Sequence, residues 1–325
     1  MAIDPELVER FRADLAALYD VNGEKLGIAY SGGPDSLALL LLAEAAFPGR
    51  VEAATVDHGL RSESADEARI AAEQCEHLGV RHEVLRVEVA TGNLQSEARK
   101  ARYAALEGWA VRRGLGIVLT AHHADDQAET FLMRANRGSG LFGLAGVRPS
   151  TPTDIAGVIV ARPLLAWRRS TLESIAQESG RKFVTDPSNE DIRFDRVAMR
   201  KALAADRFLA SDALARSAGL LAAMEDDILG LIGEDWEDAG WGDGAERHYA
   251  PFRRSRLHRP VFWTEIVRMI CSDLGRTLTR SEAGRMVEGL LDGKPVNIGS
   301  IQARATEFDG EQTWTFAPEN PRSTG

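Results

Sequence analysis

Residues 26–43 read LGIAYSGGPDSLALLLLA, and this stretch decides the fold. The apolar run from Leu26 to Tyr30 predicts a short buried strand, and the leucine-rich run from Leu37 to Ala43 predicts a buried helix. Between them, two adjacent glycines and a proline are typical of a tight turn, and Pro34 suits the first position of the helix. The stretch therefore predicts a strand, a glycine turn and a helix in immediate succession.

The turn at residues 31–36 has the features of an anion-binding site. A helix N-terminus presents unpaired N–H groups and the positive end of the helix dipole. Gly32 and Gly33 have no Cβ to block a phosphate, and Ser31 and Ser36 add hydroxyl donors. The residues match neither a Walker loop nor a dinucleotide fingerprint. We predict that the turn binds pyrophosphate; the alternative is an ordinary βα turn with a serine cap.

Length and composition are those of an ordinary globular protein. The chain has 325 residues, of which 27% are charged, and this length suits two domains. The start, Met1 to Glu6, is acidic and polar rather than secretory, and no apolar run approaches membrane-spanning length. Cys75 and Cys271 are far apart, which argues against a disulfide framework, a zinc ribbon or an iron–sulfur site. We expect a protein of the reducing cytoplasm with no membrane partner.

Charge is distributed unevenly along this acidic chain. The net charge is −10, but residues 93–207 carry 18 Lys and Arg against 13 Asp and Glu. The segments before and after this stretch are both acidic. A basic middle segment in an acidic protein favours a local phosphate-binding face, although many arginines simply lie on solvated helices.

Short apolar runs alternate with helical patterns over the first part of the chain. Strands are predicted at 26–30, 51–56, 81–89, 116–120 and 158–165. This alternation predicts an α/β fold with a Rossmann-like parallel sheet, right-handed crossovers and helices on both faces. Ligands of such sheets bind beyond the carboxyl ends of the strands, where all the motifs described here fall.

The helices and the second half of the chain complete the predicted organisation. A first helix starts at Asp4-Pro5, places Leu7, Phe11, Leu15 and Leu18 on one face, and ends near Asn22-Gly23. Later features are a helix capped by Ser62 or Ser64, a helix from Ser170, a turn at 186–189, a helical linker at 196–208 and a helix at 213–232. Beyond them we expect a loop at 235–260, helices at 261–274 and 281–291, strands at 295–301 and 303–308, and a frayed tail after Phe316. We predict a catalytic domain at 1–208, and a helical linker with a small α+β domain at 209–325.

A second candidate site closes the fourth predicted strand, where residues 120–130 read TAHHADDQAET. Two histidines and two aspartates suggest a metal, and Mg²⁺ is the simplest choice because it prefers carboxylates together with ATP phosphates. We therefore assign Asp35, Asp125 and Asp126 to phosphate organisation and catalysis, with Asp35 and Asp125 as Mg²⁺ ligands. The alternative is a polar helix start with aspartate at the cap and first turn.

The Ser-Gly-Gly-x-Asp-Ser turn resembles the PP-loop of ATP pyrophosphatases, which split ATP into AMP and pyrophosphate. The chain resembles one branch in particular, the tRNA(Ile)-lysidine synthetase family. The likeness rests on residues 31–36, 56–61, 93–103, 122–130, 137–140 and 162–165. One departure is Val197, because the family usually has asparagine after the arginine that matches Arg196.

The resemblance implies a reaction, its substrates and its site residues. ATP would adenylate the C2 carbonyl oxygen of the wobble cytidine in a tRNA(Ile) with a CAU anticodon. Free L-lysine would then attack C2 through its ε-amine, releasing AMP and leaving lysidine. ATP would bind at Ser31, Gly32, Gly33, Pro34, Asp35 and Ser36, with Asp57 and His58 bordering the adenosine. The tRNA would contact Arg99, Arg102, Arg137, Arg196 and Arg200.

Two other functions stay open at this point. A tRNA thiolase can use the same nucleotide domain, but sulfur transfer normally needs paired cysteines, which Cys75 and Cys271 do not offer. A non-catalytic, ATP-responsive RNA-binding protein is the other alternative. The sequence also leaves open a homodimer, the residues that bind lysine and the identity of the general base.

Overall fold

The chain forms two compact units, residues 1–222 and residues 223–325, here called unit 1 and unit 2. In this computed structural model, residues 3–59, 64–88, 94–153, 157–184, 195–206, 208–253 and 259–319 are described. The division between the units falls inside the long helix Ser211–Ala239. The functional boundary expected near residue 208 stays a prediction.

Unit 1 is built on a six-stranded, mostly parallel sheet. Its strands are β1 (Leu26–Ala29), β2 (Val51–Asp57), β3 (Arg81–Arg86), β4 (Ile117–Leu119), β5 (Ser150–Pro152) and β6 (Ile159–Ala161). Their spatial order is β3-β2-β1-β4-β6-β5, and only β5 runs antiparallel to its neighbour. In the central register, Gly27 of β1 lies between Glu52 of β2 and Val118 of β4. The predicted α/β fold with a parallel sheet is confirmed.

Nine helices begin in the described part of unit 1. They are α1 (Pro5–Ala16), α2 (Pro34–Ala46), α3 (Ser64–His77), α4 (Leu94–Arg113), α5 (Ala124–Asn136), α6 (Leu141–Leu144), α7 (Arg169–Glu178), α8 (Asp195–Ala205) and α9 (Ser211–Ala239). Asp4 caps α1 as predicted, because its side chain accepts from the N–H of Glu6 at 2.9 Å. The predicted end of this helix was wrong, since α1 stops at Ala16 and Leu18 follows in a turn.

The helix α2 is buried along nearly its whole length. Its residues from Ser36 to Ala43 are all buried, and its first residue is Pro34, as predicted. Phe11 and Leu15 of α1 pack with it, as do Leu172 and Ile175 of α7. Each fully buried leucine contributes roughly 2 kcal/mol through loss of apolar surface. This packing fixes the position of the helix N-terminus that follows β1.

Two predicted strand ends in unit 1 were wrong. Strand β3 ends at Arg86 rather than at residue 89. Residues 162–165 form a turn instead of extending β6, because Pro163 has no N–H for a sheet bond and the N–H of Leu165 donates to Arg162 O. The predicted cap Ser62 and the predicted turn at 186–189 lie outside the described residues.

Unit 2 is an antiparallel sheet covered by two helices. The helices are α10 (Pro260–Asp273) and α11 (Arg280–Leu291), and the strands are β7 (Gly240–Asp243), β8 (Glu246–Tyr249), β9 (Val296–Ile298), β10 (Ile301–Phe308) and β11 (Glu311–Pro318). The spatial order is β7-β8-β11-β10-β9. The tryptophans Trp263 and Trp314 lie edge to face at 5.5 Å in its core.

The loop predicted at 235–260 was wrong. Helix α9 continues to Ala239, and β7 and β8 form a hairpin directly after it. Gly240 lies within the predicted loop, but its role is to leave room for the ring of Trp236. A Cβ on residue 240 would clash with that ring. The expected frayed tail was also wrong at its start, because β11 continues through Pro318.

No helix in the described part of the chain is long and apolar enough to cross a membrane.

Candidate active site

The turn between β1 and α2 presents a helix N-terminus without a side-chain cap. The N-cap residue is Gly33, in an extended conformation, and it has no side chain to occupy the first N–H groups of α2. Gly32 has φ +79°, a left-handed value that a side chain disfavours. The backbone at residues 32–36 therefore offers the donors and the positive dipole end that suit an anion.

The two serines of this turn have different roles. Ser36 is buried, donates to Gly33 O at 3.0 Å and accepts from the N–H of Ser31 at 3.2 Å. Ser31 is exposed and lies 3.0 Å from Ser36, Oγ to Oγ. Ser36 therefore holds the turn together, whereas Ser31 is placed to meet a ligand.

A residue far along the chain forms a hydrogen bond with the turn. The N–H of Val184 donates to Gly32 O at 2.9 Å. A Cβ on Gly32 would lie 3.4 Å from Cγ2 of Val184, an ordinary van der Waals contact, so glycine is favoured here by its backbone conformation. Sequence analysis missed Val184, since an ordinary valine carries no signal of such a contact.

A cavity of about 750 Å³ opens beside the turn. Predicted ATP-site residues line it, namely Ser31, Gly33, Pro34, Asp35, Ser36, Asp57 and His58. Arg102 and Arg200, predicted for tRNA, also line it, together with Arg169, Glu173 and Gln177 of α7, which sequence analysis missed. The volume is that of a site for a nucleotide-sized ligand. Asp125, Asp126, Arg99, Arg137 and Arg196 are not among its lining residues.

His123 connects the two motifs predicted to form the site. It caps α5, with the N–H of Asp126 donating to Nδ1 at 3.4 Å and the N–H of His123 donating to Oδ2 of Asp126 at 3.1 Å. Its Nε2 lies 3.6 Å from Oδ2 of Asp35, and its Nδ1 lies 3.8 Å from Oδ2 of Asp125. The alternative reading, a polar helix start with aspartate at the cap, was wrong about the cap, which is the histidine.

Burial and charge act in opposite directions on His123. Burial alone would lower its pKa, but the interaction with Asp35 and the negative charges of Asp126, Asp35 and Asp125 raise it. The capping bond uses Nδ1 as an acceptor, so the proton of the neutral ring lies on Nε2, which is 3.6 Å from Oδ2 of Asp35 and 3.6 Å from Oδ2 of Asp126. A second proton would sit on Nδ1 toward Asp125 and would replace that long capping bond.

Of the three predicted aspartates, Asp35 has a carboxylate oxygen that is buried without a partner among the described residues. Its Oδ1 accepts no hydrogen bond, whereas its Oδ2 faces His123. A buried carboxylate oxygen without a donor is costly unless a ligand supplies positive charge. Asp35 lies in the first turn of α2 and lines the cavity, so that ligand would approach from the cavity.

The other two aspartates are held by protein groups. Oδ2 of Asp125 accepts from the N–H of Arg169 at 2.9 Å, and its Oδ1 lies 3.3 Å from Nη2 of Arg168. Oδ1 of Asp126 accepts from Arg196 at 2.6 Å. Burial would raise the pKa of Asp126, but His123 and Arg196 lower it. Within the described residues, no group of three or more His, Cys, Asp or Glu side chains is arranged to hold a metal.

A buried glutamate organises the arginines of α8. Glu129 is 1% exposed and accepts from Nε of Arg196 at 2.7 Å and from Nε of Arg200 at 2.7 Å. Both arginines were predicted to bind tRNA, and here each has a carboxylate partner. Sequence analysis missed Glu129, although its spacing from Asp126 places both on neighbouring turns of α5.

The cavity wall after β2 contains a histidine with an unused ring nitrogen. Nδ1 of His58 is buried without a partner, and burial followed by the charge of Arg102 lowers the pKa of this histidine. His58 is therefore a neutral ring with an unused polar nitrogen at the edge of the cavity.

The fold and the turn define a PP-loop protein, and comparison with known proteins agrees. Residues 7–206 match the family model described as PP-loop domain. The chain is 48% identical to a tRNA(Ile)-lysidine synthase of Novosphingobium aromaticivorans, over 96% of this chain and 94% of that protein. It is 39% identical to a tRNA(Ile)-lysidine synthase of Zymomonas mobilis, over 92% and 89% of the two chains.

Among solved structures, unit 1 has the fold of a U34-tRNA thiolase from Methanococcus maripaludis that carries a [4Fe-4S] cluster. The TM-score is 0.56 at 19% identity, over 67% of this chain and 78% of that chain. This likeness extends to the fold alone. The sequence matches are more specific: the chain belongs to the tRNA(Ile)-lysidine synthase family, whose members are ligases.

Proposed function

We propose that the protein joins free L-lysine to C2 of the wobble cytidine in a tRNA(Ile) with a CAU anticodon. In this reaction ATP adenylates the C2 carbonyl oxygen and releases pyrophosphate. The ε-amine of lysine attacks C2, AMP leaves, and the product is lysidine, which changes the tRNA from methionine to isoleucine specificity. Residues 1–208 would carry this chemistry.

One observation carries the proposal. An uncapped PP-loop and Asp35, which has an unpartnered buried oxygen, line one cavity in a chain that matches a lysidine synthase over 96% of its length. The loop suits the β- and γ-phosphates, and Asp35 lies where positive charge is needed during attack at the α-phosphate.

Family members work on ATP, and Mg²⁺ is the cation we propose with it. Oδ1 of Asp35 fits this role because it is a buried hard oxygen without a protein donor. Asp125 fits less well, since both its oxygens already face Arg168 and Arg169. Bound there, Mg²⁺ would neutralise phosphate charge, and ATP oxygens would have to complete its ligand set.

The remaining residues would position and polarise the substrates. His123 orients Asp35 through its Nε2–H and holds Asp126 through the capping box. The adenylated cytosine is positively charged, so a nearby carboxylate such as Asp126 would stabilise it electrostatically. A carboxylate must also accept the proton of the lysine ammonium before attack.

The thiolase alternative lacks support from the cysteines. Cys75 and Cys271 are both buried, in different units, and burial raises the pKa of each thiol to about 12. Such thiols carry little thiolate for cluster ligation or persulfide chemistry.

Incubation of the protein with ATP, labelled lysine and a CAU-anticodon tRNA tests the proposal. We expect label in the tRNA and one AMP released per lysine joined. Methionine tRNA, which shares the anticodon letters but not the rest of the sequence, is the matched control and should stay unlabelled. ATP binding without transfer of label would support the non-catalytic RNA-binding alternative, and sulfur-dependent modification would support the thiolase.

A further inference from the structure

Guanidinium groups converge on one tyrosine in unit 1. Nη2 of Arg99 and Nη2 of Arg162 each lie 3.5 Å from the hydroxyl of Tyr103. The guanidinium carbon of Arg99 also lies 5.0 Å from the centre of the Tyr103 ring. Arg102 precedes Tyr103 on α4 and interacts with it electrostatically. We call Arg99, Arg102, Tyr103 and Arg162 the tyrosine–arginine cluster.

Among the described residues, no carboxylate forms an ion pair with the arginines of this cluster. Arg162 is 5% exposed, and its Nη1 donates only to Arg148 O at 2.9 Å and to Oγ1 of Thr151 at 3.0 Å. Its Nε is buried without a partner. Folding a guanidinium into this position without an anion is costly.

The surrounding groups respond to this charge. Burial alone would raise the pKa of Tyr103, but the hydrogen bond from Arg162 and the charges of Arg99, Arg162 and Arg102 lower it. Burial, with Arg99, lowers the pKa of Arg102. The pKa of His122 is lowered to about 3, mainly by burial. Asp126 opposes this shift, and the charges of Arg162, Arg102 and Arg196 add to it. Burial is the main cause for Arg102 and His122, whereas the lowered pKa of Tyr103 reflects the positive charges around it, which an incoming anion would balance.

The cluster extends from the surface to the cavity. Arg99 is exposed on α4, Arg102 lines the cavity wall, and Arg162 lies buried behind Tyr103. This arrangement suits an extended polyanion that passes from solvent into the cavity. A free amino acid would need its carboxylate held in one enclosed place.

We propose that Tyr103 and Arg162, with Arg99 and Arg102, form a subsite for an RNA backbone phosphate beside the nucleotide that enters the cavity. Two arginines occupy the lone pairs of the Tyr103 oxygen, so its O–H is free to donate to a phosphate oxygen. Guanidinium groups supply the charge and the paired donors that phosphate prefers. This inference rests on the proposed function and adds two residues to its RNA site.

The test uses Tyr103→Phe and Arg99→Gln in the full chain. Tyr103→Phe keeps the ring beneath Arg99 and removes only the hydroxyl. The probe is a CAU anticodon stem-loop RNA, made with natural phosphates or with one neutral methylphosphonate on either side of the wobble nucleotide. Binding is measured by fluorescence anisotropy, and the KM for lysine is measured with full-length tRNA. Arg112→Gln on the exposed face of the same helix is the matched control.

We expect each variant to bind the natural stem-loop roughly tenfold more weakly, the size expected for one charge-assisted contact. With the methylphosphonate at the contacted position, wild type and Tyr103→Phe should bind equally, and the KM for lysine should not change. A raised KM for lysine with unchanged RNA affinity overturns the inference in favour of a carboxylate site. Variants with unchanged RNA affinity and unchanged KM for lysine would also overturn the inference. In that case, lysine transfer by the wild type would still support the proposed function. Failure of the wild type to bind the stem-loop would contradict both.

Discussion

Nε2 of His123 lies 3.6 Å from Oδ2 of Asp35, so the N-cap residue of α5 contacts the first turn of α2. The two residues are 88 positions apart in sequence, and the parallel sheet brings them together because β1 and β4 are neighbours. The histidine therefore links the PP-loop to the second motif.

Replacing Asp35 with asparagine removes the carboxylate that lacks a partner on one oxygen. We expect lysine incorporation to fall by at least about 100-fold, because transition-state charge loses its counterpart. The melting temperature should stay unchanged or rise slightly, since a neutral amide is easier to bury. Transfer assays and thermal unfolding measure both effects, and near-normal turnover would refute the role of Asp35.

Asp126→Asn should affect both activity and stability. Its carboxylate accepts from the N–H of His123 and from Arg196, so the variant weakens a helix cap and an ion pair. We expect loss of lysine incorporation together with about 1 kcal/mol less unfolding free energy. Chemical denaturation separates this result from that of Asp35→Asn. Equal stability of the two variants would show that the capping box contributes nothing.

Gly32→Ala tests the PP-loop against a matched glycine. Gly32 and Gly23 have nearly equal φ values of +79° and +78°, but only Gly32 has Val184 within 4 Å of an added Cβ. Both alanine variants should lose roughly 1 kcal/mol of unfolding free energy through backbone strain. Only Gly32→Ala should lose ATP affinity in calorimetry. If Gly23→Ala loses as much ATP affinity, the loop is not the nucleotide site.

Arg99→Ala and Arg137→Ala test the predicted tRNA contacts outside the cavity. Arg99 packs on Tyr103, whereas Arg137 is exposed and paired with Asp195 at 2.9 Å. Each variant should bind tRNA more weakly and lower the slope of log affinity against log salt by about one. Arg112→Ala serves as the control, and a slope equal to that of the wild type would show that the arginine does not touch phosphate.

Glu52 provides a pH prediction remote from the site. The hydrogen bond from Arg113 lowers the pKa of Glu52 to about 2. Burial opposes this shift, and Lys25 adds to it. Because this pKa is depressed in the folded state, the stabilisation is complete above the unfolded value near 4.5 and is lost as pH falls toward 2. Full loss corresponds to about 3 kcal/mol. Unfolding free energies of wild type and Glu52→Gln should converge between pH 4.5 and 2; a constant difference would contradict the assignment.

Local patterns were enough to predict much of this fold. The run from Leu26 to Ala43 gave the strand, the turn and the buried helix, because each is determined by neighbouring residues. The hairpin β7–β8 was missed since Gly240 resembles a loop residue, and only the packed ring of Trp236 explains it. The exposed edge strand β5 carries no apolar signal.

The site was predicted less completely than the fold. The sequence predicted a PP-loop and three site aspartates, and the roles of these aspartates stay a prediction. The linking position of His123 depends on the contact between β1 and β4. Glu129 was part of the second motif, yet its role became visible only with Arg196 and Arg200 beside it. Val184 and the cavity face of α7 depend wholly on tertiary packing.

A crystal structure with a non-hydrolysable ATP analogue tests the central claim most directly. We expect β- and γ-phosphate oxygens within hydrogen-bonding distance of Ser31 and of the backbone N–H groups of Gly32, Gly33, Asp35 and Ser36, with the adenosine near His58. Nucleotide bound away from this turn, or a turn that stays closed by neighbouring side chains at saturating analogue, would contradict it.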